Sequence, residues 1–501
     1  MRAGAFARSA GRAVAQIFCP LAFGTLVATV IASAQTATAQ STAAQTPPAQ
    51  TPPAQGATAQ SGSPAPPAAQ PIQAPVPPEP PLMPPTPNVS AAAESIYATA
   101  RPGLLQIRTL VEAAGRQSSI GSGFLVSPDG LAVTNYHVVS QYALEPKTYR
   151  LEYARPDGSQ GALKLLAIDV ANDVAIVQLD GTELPHLEFD PAALEDKSPR
   201  GERLYAMGNP LDLGFTIVEG TYNGFVEKSY NPRVHFTGAI NPGMSGGPAV
   251  TAAGKVAGIN VAKRLDGELV SFLVPASKAS ALFERAKTEP PLDLAHVRDE
   301  IDRQLITWQG AFYHALGEQG FKDTTLGPYQ APESAAPWFN CWARTNADET
   351  PRPRALLDST SCNSQSSLYI AEDIETGRAE LWHAYVRSTD LNPFQFAAFV
   401  STYYGGAGSI RPWSRKRLTQ PECHEDFIQR NESDKGGPVM RAVWCARAYR
   451  DFAGIYDVAI TTVTQDRDKE ALVSRLAMKG VSYDNAVALA QRFVRELAWA
   501  K

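Results

Sequence analysis

The glycine-flanked serine in NPGMSGGPAV (241–250) constrains this chain more than any other stretch. Gly243, Gly246 and Gly247 permit a tight turn around Ser245 that larger residues would obstruct. Such a turn brings the amides of Gly243 and Ser245 to one spot, where they can hold a developing oxyanion. A serine hydroxyl is a weak nucleophile at neutral pH and needs an imidazole to take its proton. The imidazole in turn needs a carboxylate to hold its tautomer and stabilise its charged form. Two earlier segments offer those groups: His137 in GSGFLVSPDGLAVTNYHVVS (121–140) and Asp173 in ANDVAIVQLD (171–180). Taken alone, His137 in an apolar strand end reads more readily as a satisfied core histidine. Asp169 and Asp180 compete with Asp173, and Asp169 suits a turn or cap in the preceding loop.

These segments resemble bacterial trypsin-like proteases of the HtrA/Deg type. GSGFLVSPDGLAVTNYHVV is similar to their TNxHVV segment and NDVAIVQL to their T-D-[IL]-A-[LV] strand. NPGMSGGPAV is similar to their N-x-G-N-S-G-G-P, and AMGNPLDLGFTIVEG (206–220) to their GNP-turn strand. RPGLLQIRT (101–109) and SFLVPASKA (271–279) match the edges of the same domain, so the resemblance covers about 89–285, roughly two fifths of the chain. It implies a chymotrypsin-like double β-barrel, whose chain order His, Asp, Ser is the one found here. It also implies that Asp173, which opens the apolar DVAIV strand, is the orienting acid. A polypeptide substrate is implied, with no metal and no cofactor.

The resemblance places the base of the specificity pocket six residues before the nucleophile, at Ala239 with Ile240 beside it. The opposing wall comes from Gly258, Ile259, Asn260 and Phe272. No acid stands at the base, so a small apolar side chain such as Val, Ala or Leu is expected there. Glu268, on the neighbouring hairpin, is the acid that could change this preference. Met244 stands where digestive relatives carry Asp and where HtrA-type proteases usually carry Asn. It cannot form the ion pair of zymogen activation, and a loop that waits for substrate or a partner is an open alternative.

The recurring short strands with Gly and Pro turns fit an all-β closed architecture. Strands are expected at LLQIRTLVEA, GSGFLV, LAVTNYHVV, YRLEYA, ALKLLAID and DVAIVQL. A second set follows at RLYAMGN, GFTIVEGTYNGFVE, RVHFTGA, GPAVTAAGKVAGINVAKRL and ELVSFLVPA. Ahead of them, SAAAESIYATA (90–100) reads as a short helix stopped by Pro102. Residues 1–34 read as a signal peptide: Arg2, Arg8 and Arg12 precede an uncharged apolar run, and Ala32-Ser33-Ala34 has the form of a cleavage site, with Ala37-Thr38-Ala39 a second candidate. Left uncleaved, the same run would anchor the chain in a membrane. Residues 35–88 are a Pro/Ala/Gln-rich linker with too little apolar surface to offset ordering. A net charge of −5 lacks the basic excess of a nucleic-acid binder.

After the protease domain (89–288), the remainder (289–501) is expected to be an α+β domain, in which no carboxylate-binding PDZ loop is found. LDLAHVRDEIDRQLITWQGAFYHALGEQG (292–320) reads as an amphipathic helix closed by Gly320, with Leu294, Val297, Ile301, Leu305 and Trp308 at helical spacing. Strands are expected at SLYIAEDI, ELWHAYVRS, VMRAVWCARAYRDF and IYDVAITTV. Two terminal helices are expected, DKEALVSRLAMKG and SYDNAVALAQRFVRELAWA, the second N-capped by Ser482. Cys341, Cys362, Cys423 and Cys445 are an even set in an exported chain and read as two disulfides. Three pairings are open; nearest neighbours, Cys341–Cys362 and Cys423–Cys445, are favoured. Zinc is disfavoured, since no CxxC pair exists and His424 is the one nearby histidine. Trp338, Phe339, Trp342 and Trp413 read as core more readily than as a ligand platform.

The chain thus reads as an exported serine endopeptidase, periplasmic or secreted, with a disulfide-stapled tail. A binding or quality-control module with little turnover is the alternative, which Met244 keeps open.

Overall fold

The computed structural model describes residues 91–263, 269–371, 374–408, 415–429 and 437–500. The expected signal and linker, together with Glu268 and Trp413, lie outside the described residues. The described residues all belong to one compact unit.

The chain enters through helix α1 (Ala91–Ala100), which buries Ala93, Ile96 and Ala100. Seven strands follow: β1 (Leu104–Val111), β2 (Arg116–Leu125), β3 (Leu131–Thr134), β4 (Tyr149–Ala154), β5 (Gln160–Ala162), β6 (Lys164–Asp169) and β7 (Val174–Gln178). They form an antiparallel sheet in the order β5-β4-β1-β2-β3-β7-β6. Helix α2 (Tyr136–Leu144) lies between β3 and β4. Here the structure corrects the expectation of a strand through LAVTNYHVV: β3 stops at Thr134, and His137 is helical. The paired valines favour a strand locally, but Tyr136, Val138, Val139, Ala143 and Leu144 bury their side chains only when the segment coils, and that burial overrides propensity.

The short helix α3 (Pro191–Leu194), capped by Asp190, leads into β8 (Arg203–Gly208), β9 (Thr216–Phe225), β10 (Val234–Thr237), β11 (Pro248–Val250), β12 (Val256–Lys263) and β13 (Val270–Pro275). These six strands close into a barrel, β10-β13-β12-β11-β8-β9. Helix α4 (Ala276–Thr288) then returns to the first sheet, and its Ala279 and Leu282 share one apolar cluster with Val174, Ile176 and Ile259.

Helix α5 (Val297–Gln319) buries Val297, Ile301, Leu305 and Trp308, and ends at Gly320, whose φ of 73° only glycine adopts readily. Beyond it lie β14 (Phe321–Leu326), β15 (Tyr329–Ser334), β16 (Phe339–Thr345), β17 (Ala355–Ser364), β18 (Leu368–Ala371), β19 (Ile374–Thr376) and β20 (Arg378–Ser388). Helix α6 (Pro393–Gly408), β21 (Glu422–Ile428), β22 (Met440–Ala448), β23 (Tyr456–Thr464), β24 (Glu470–Val481), helix α7 (Tyr483–Glu496) and β25 (Ala498–Trp499) complete the chain. The large sheet here runs β16-β17-β20-β24-β23-β22-β21.

DKEALVSRLAMKG, expected as a helix, is the strand β24, between β20 and β23. A central strand is covered on both faces: Leu472 and Leu476 belong to one core cluster, and Ala471 and Val473 to another. Apolar residues on both sides erase the period-two alternation, and the Leu, Met, Ala and Lys content then imitates a helix. α7 starts as expected, with Ser482 Oγ accepting from the Asn485 amide at 3.4 Å.

Both disulfides have the nearest-neighbour pairing, Cys341–Cys362 and Cys423–Cys445. Each joins directly opposed residues, one pair on β16 and β17, the other on β21 and β22. They therefore pin both edge strands of the seven-stranded sheet to their neighbours. Of the aromatic residues beside them, Phe339 is buried, Trp338 packs edge-on against Tyr230 at 5.3 Å, and Trp342 is exposed.

One apolar cluster runs from the first sheet and α2 (Leu105, Ile107, Val139) through α5 (Trp308, Phe312) into β20 and β24 (Leu381, Leu476). The C-terminal region thus packs on the helix that carries His137.

Candidate active site

His137 occupies the first turn of α2, and Asp173 the turn that enters β7. His137 Nδ1 lies 2.8 Å from Asp173 Oδ2, while the His137 amide donates to Oδ1 at 2.9 Å. Both carboxylate oxygens therefore face one residue. A carboxylate opposite Nδ1 calls for the proton on that nitrogen, which makes Nε2 the basic one. Asp173 is 2% exposed and has a φ of 63°. Asn135 Nδ2 donates to its carbonyl at 2.7 Å and secures that left-handed turn. Asp169 instead caps the loop, taking the Asn172 amide at 3.0 Å and side chain at 2.8 Å. Asp180 pairs with Lys164 in solvent.

Ser245 lies in the turn between β10 and β11. Gly246, with a φ of 86°, brings this turn against the first sheet: a Cβ there would overlap Ser122 O and Thr134 Oγ1 and come 2.9 Å from the Asn135 amide. Gly121 is squeezed likewise, since a Cβ would meet Val138 Cγ2 at 2.5 Å and Ser245 O at 3.1 Å. Ser245 and the neighbour of His137 thus both crowd the space a side chain at this one position would need. Ser245 Oγ donates to Val261 O at 3.3 Å.

Three of the loop's amides have backbone partners. Met244 N donates to Asn241 O, Gly246 N to Asn260 O and Gly247 N to Met244 O. Among the described residues, the amides of Gly243 and Ser245 have no hydrogen-bond partner. Gly243 has a φ of 92°, and its carbonyl accepts from Ser122 Oγ at 2.7 Å. Ser122 Oγ in turn accepts from the Asn209 amide at 2.9 Å. Met244 is fully buried in the barrel core, so apolar packing anchors the loop where an ion pair would otherwise do so.

Of the expected pocket residues, Ile240 and Ile259 belong to core clusters. Asn260 is buried and donates to Met207 O and Met244 O, while Gly258 pairs with Ala249 and Pro275 along the barrel. Ala239 is half-buried, and Phe272 lines a cavity described below.

The C-terminal region reaches the same place. The Tyr369 ring lies 5.1 Å from the His137 ring, and Tyr136 donates to Ile370 O at 2.8 Å. Burial, and then the Asp173 charge, push the Tyr369 phenol up to about 12, so it stays protonated at neutral pH. Ser122, Asn135, Asn209 and Tyr369 are absent from the sequence-based site. Ser122 lies inside the quoted GSG, but nothing local marks Tyr369.

Residues 121–259 match the trypsin-like peptidase domain. This peptidase domain is similar to that of a putative serine protease HhoB of Synechocystis sp., 34% identical over 207 residues, which are 38% of this chain and 48% of that one. It is also similar to a probable periplasmic serine endoprotease DegP-like of Marinomonas sp., 31% identical over 182 residues, 35% of this chain and 37% of that one. Both relatives are matched over less than half of their own length. A serine endoprotease from Yersinia pestis aligns in structure with 25% identity and a TM-score of 0.34, over 40% of this chain and 67% of that one. The peptidase domain has a chymotrypsin-like, β-rich protease fold with a closed barrel.

Proposed function

We propose that this protein is an exported serine endopeptidase that hydrolyses peptide bonds of unfolded or partly folded polypeptides. The observation that carries this reading is the His137–Asp173 pair at 2.8 Å beside a Ser245 turn that leaves two amides without partners among the described residues. Ser245 Oγ attacks the scissile carbonyl while His137 Nε2 takes its proton. Asp173 holds the imidazole and balances its charge, and the amides of Gly243 and Ser245 receive the oxyanion. His137 then protonates the leaving amine, and water repeats the cycle on the acyl-enzyme. No step requires a metal or cofactor. Side-chain selection rests on Ala239: with no carboxylate at the base, an entering Lys or Arg would be desolvated unpaired, so Val, Ala and Leu are preferred. The DegP-like relatives are named periplasmic, which supports export.

The test is labelling by a fluorophosphonate probe together with casein hydrolysis, in the wild type and in Ser245→Ala. Labelling and cleavage in the wild type, both lost in the variant, are expected. A wild type that takes no probe would leave the barrel as a binding module.

A further inference from the structure

A cavity of about 390 Å³ lies between the barrel and the C-terminal region. Its size falls within the roughly 300–1,000 Å³ of ligand sites. Val261, the hydrogen-bond partner of Ser245, lines it on one side, and Tyr369, the ring neighbour of His137, on the other. The cavity is therefore separated by a single residue from Ser245 on one side and from His137 on the other. Its second wall is built by Gln365, Ser366, Ser367 and Tyr369, held to the barrel by Tyr230 N to Gln365 O at 3.1 Å and Asn231 Nδ2 to Ser367 O at 3.2 Å.

Among the described residues its charge is unbalanced. Arg378 and Glu375 form an ion pair at 3.4 Å and offset each other. Arg233 also lines the cavity, yet donates only to its neighbour Pro232 O at 3.1 Å, and among the described residues no carboxylate lies within ion-pair distance of it. Burial weakens the hold of its guanidinium on the proton, partly offset by the more distant carboxylates of Asp173 and Asp169. A guanidinium stays charged at neutral pH and presents its donors as a planar fork suited to a carboxylate. A neutral occupant would exclude water from it and supply no counter-charge.

We propose that this cavity is a substrate subsite, completed by the C-terminal region, that takes an Asp or Glu side chain of the polypeptide being cleaved, with Arg233 as the counter-ion. This rests on the peptidase reading. It concerns a substrate position other than the one whose side chain enters at Ala239.

Pairs of C-terminally amidated peptides, differing by Glu or Gln at one position, test it without a terminal carboxylate to compete. The Glu:Gln ratio of kcat/KM is read within each variant of the full chain, so a general loss of activity does not imitate the effect. In the wild type, one position should favour Glu about tenfold. Arg233→Gln should bring that ratio close to one, and Arg233→Lys should keep part of it. A ratio near one at every position in the wild type, or a Glu preference that survives Arg233→Gln, overturns the proposal. The same pairs are titrated by fluorescence anisotropy into Ser245→Ala, with and without Arg233→Gln, which reads charge selection without turnover. If the wild type neither cleaves nor takes a fluorophosphonate probe, the peptidase reading falls, and equal binding of Glu and Gln peptides would sink the subsite separately.

Discussion

The ring of Tyr369 lies 5.1 Å from that of His137, with the two planes at 45°. This contact belongs to a clamp that holds α2 at both ends. At the N-terminal end Tyr136 donates to Ile370 O at 2.8 Å. At the other, Glu145 pairs with Lys416 at 2.6 Å and Arg417 at 3.0 Å, and Arg298 donates to Leu144 O at 2.7 Å. The C-terminal region therefore restrains the helix that sets the imidazole.

Removing the ring should loosen His137. Tyr369→Ala is expected to lower kcat about tenfold to a hundredfold, since a displacement of about 1 Å in a catalytic group costs on that order. Tyr369→Phe keeps the ring and should stay close to wild type. An uncharged ester substrate reads the effect apart from any charge selection in the cavity. Equal kcat for Tyr369→Ala and wild type would show that the ring does not position the base.

Asp173→Asn should leave the backbone turn but offer Nδ1 an amide in place of a carboxylate. The wrong tautomer is then stabilised, and a loss of about 10,000-fold in kcat at neutral pH is expected. Steady-state hydrolysis of the same ester measures it; a loss under tenfold would move the orienting role elsewhere.

His383 makes acid stability a property of the C-terminal sheet. It is 1% exposed, lies 2.7 Å from Pro332 O through Nε2 and 2.8 Å from Ser474 Oγ through Nδ1. Burial lowers its pKa from 6.5 to about 4. Between those values the unfolded chain binds the proton and the folded one does not, so stability falls as pH drops from 6.5 towards 4, by up to about 1.4 kcal/mol per pH unit. Above 6.5 this contribution is constant. Urea unfolding at pH 7 and pH 5 should show a smaller difference for His383→Gln than for wild type; an unchanged difference would refute the assignment.

The two disulfides should account for all four cysteines of the mature chain beyond the expected signal. Mass analysis after alkylation should show no labelling without reduction and four equivalents with it. Replacing either pair by serine should cost about 2–4 kcal/mol, read as a lower midpoint of unfolding. Free thiols at Cys423 and Cys445 in the native protein would contradict the pairing.

Much of this protein is legible locally. The glycines around Ser245, the order of His137, Asp173 and Ser245, the even cysteine set and the end of α5 at Gly320 are all marked in the sequence itself. The turn and the helix end depend on short-range demands: a backbone that must turn, and a helix that needs a residue tolerant of positive φ. What the sequence alone did not decide involves burial by distant parts of the chain. Residues 136–144 coil and 470–481 extend because their apolar side chains find cover on surfaces far away in sequence, which outweighs local preferences of a few tenths of a kcal/mol per residue. The placement of Tyr369 on His137, and of the Arg233 cavity between barrel and tail, likewise belongs to tertiary structure. Those contacts join segments more than a hundred residues apart. No local pattern encodes them, because they exist only once two independently formed surfaces pack together.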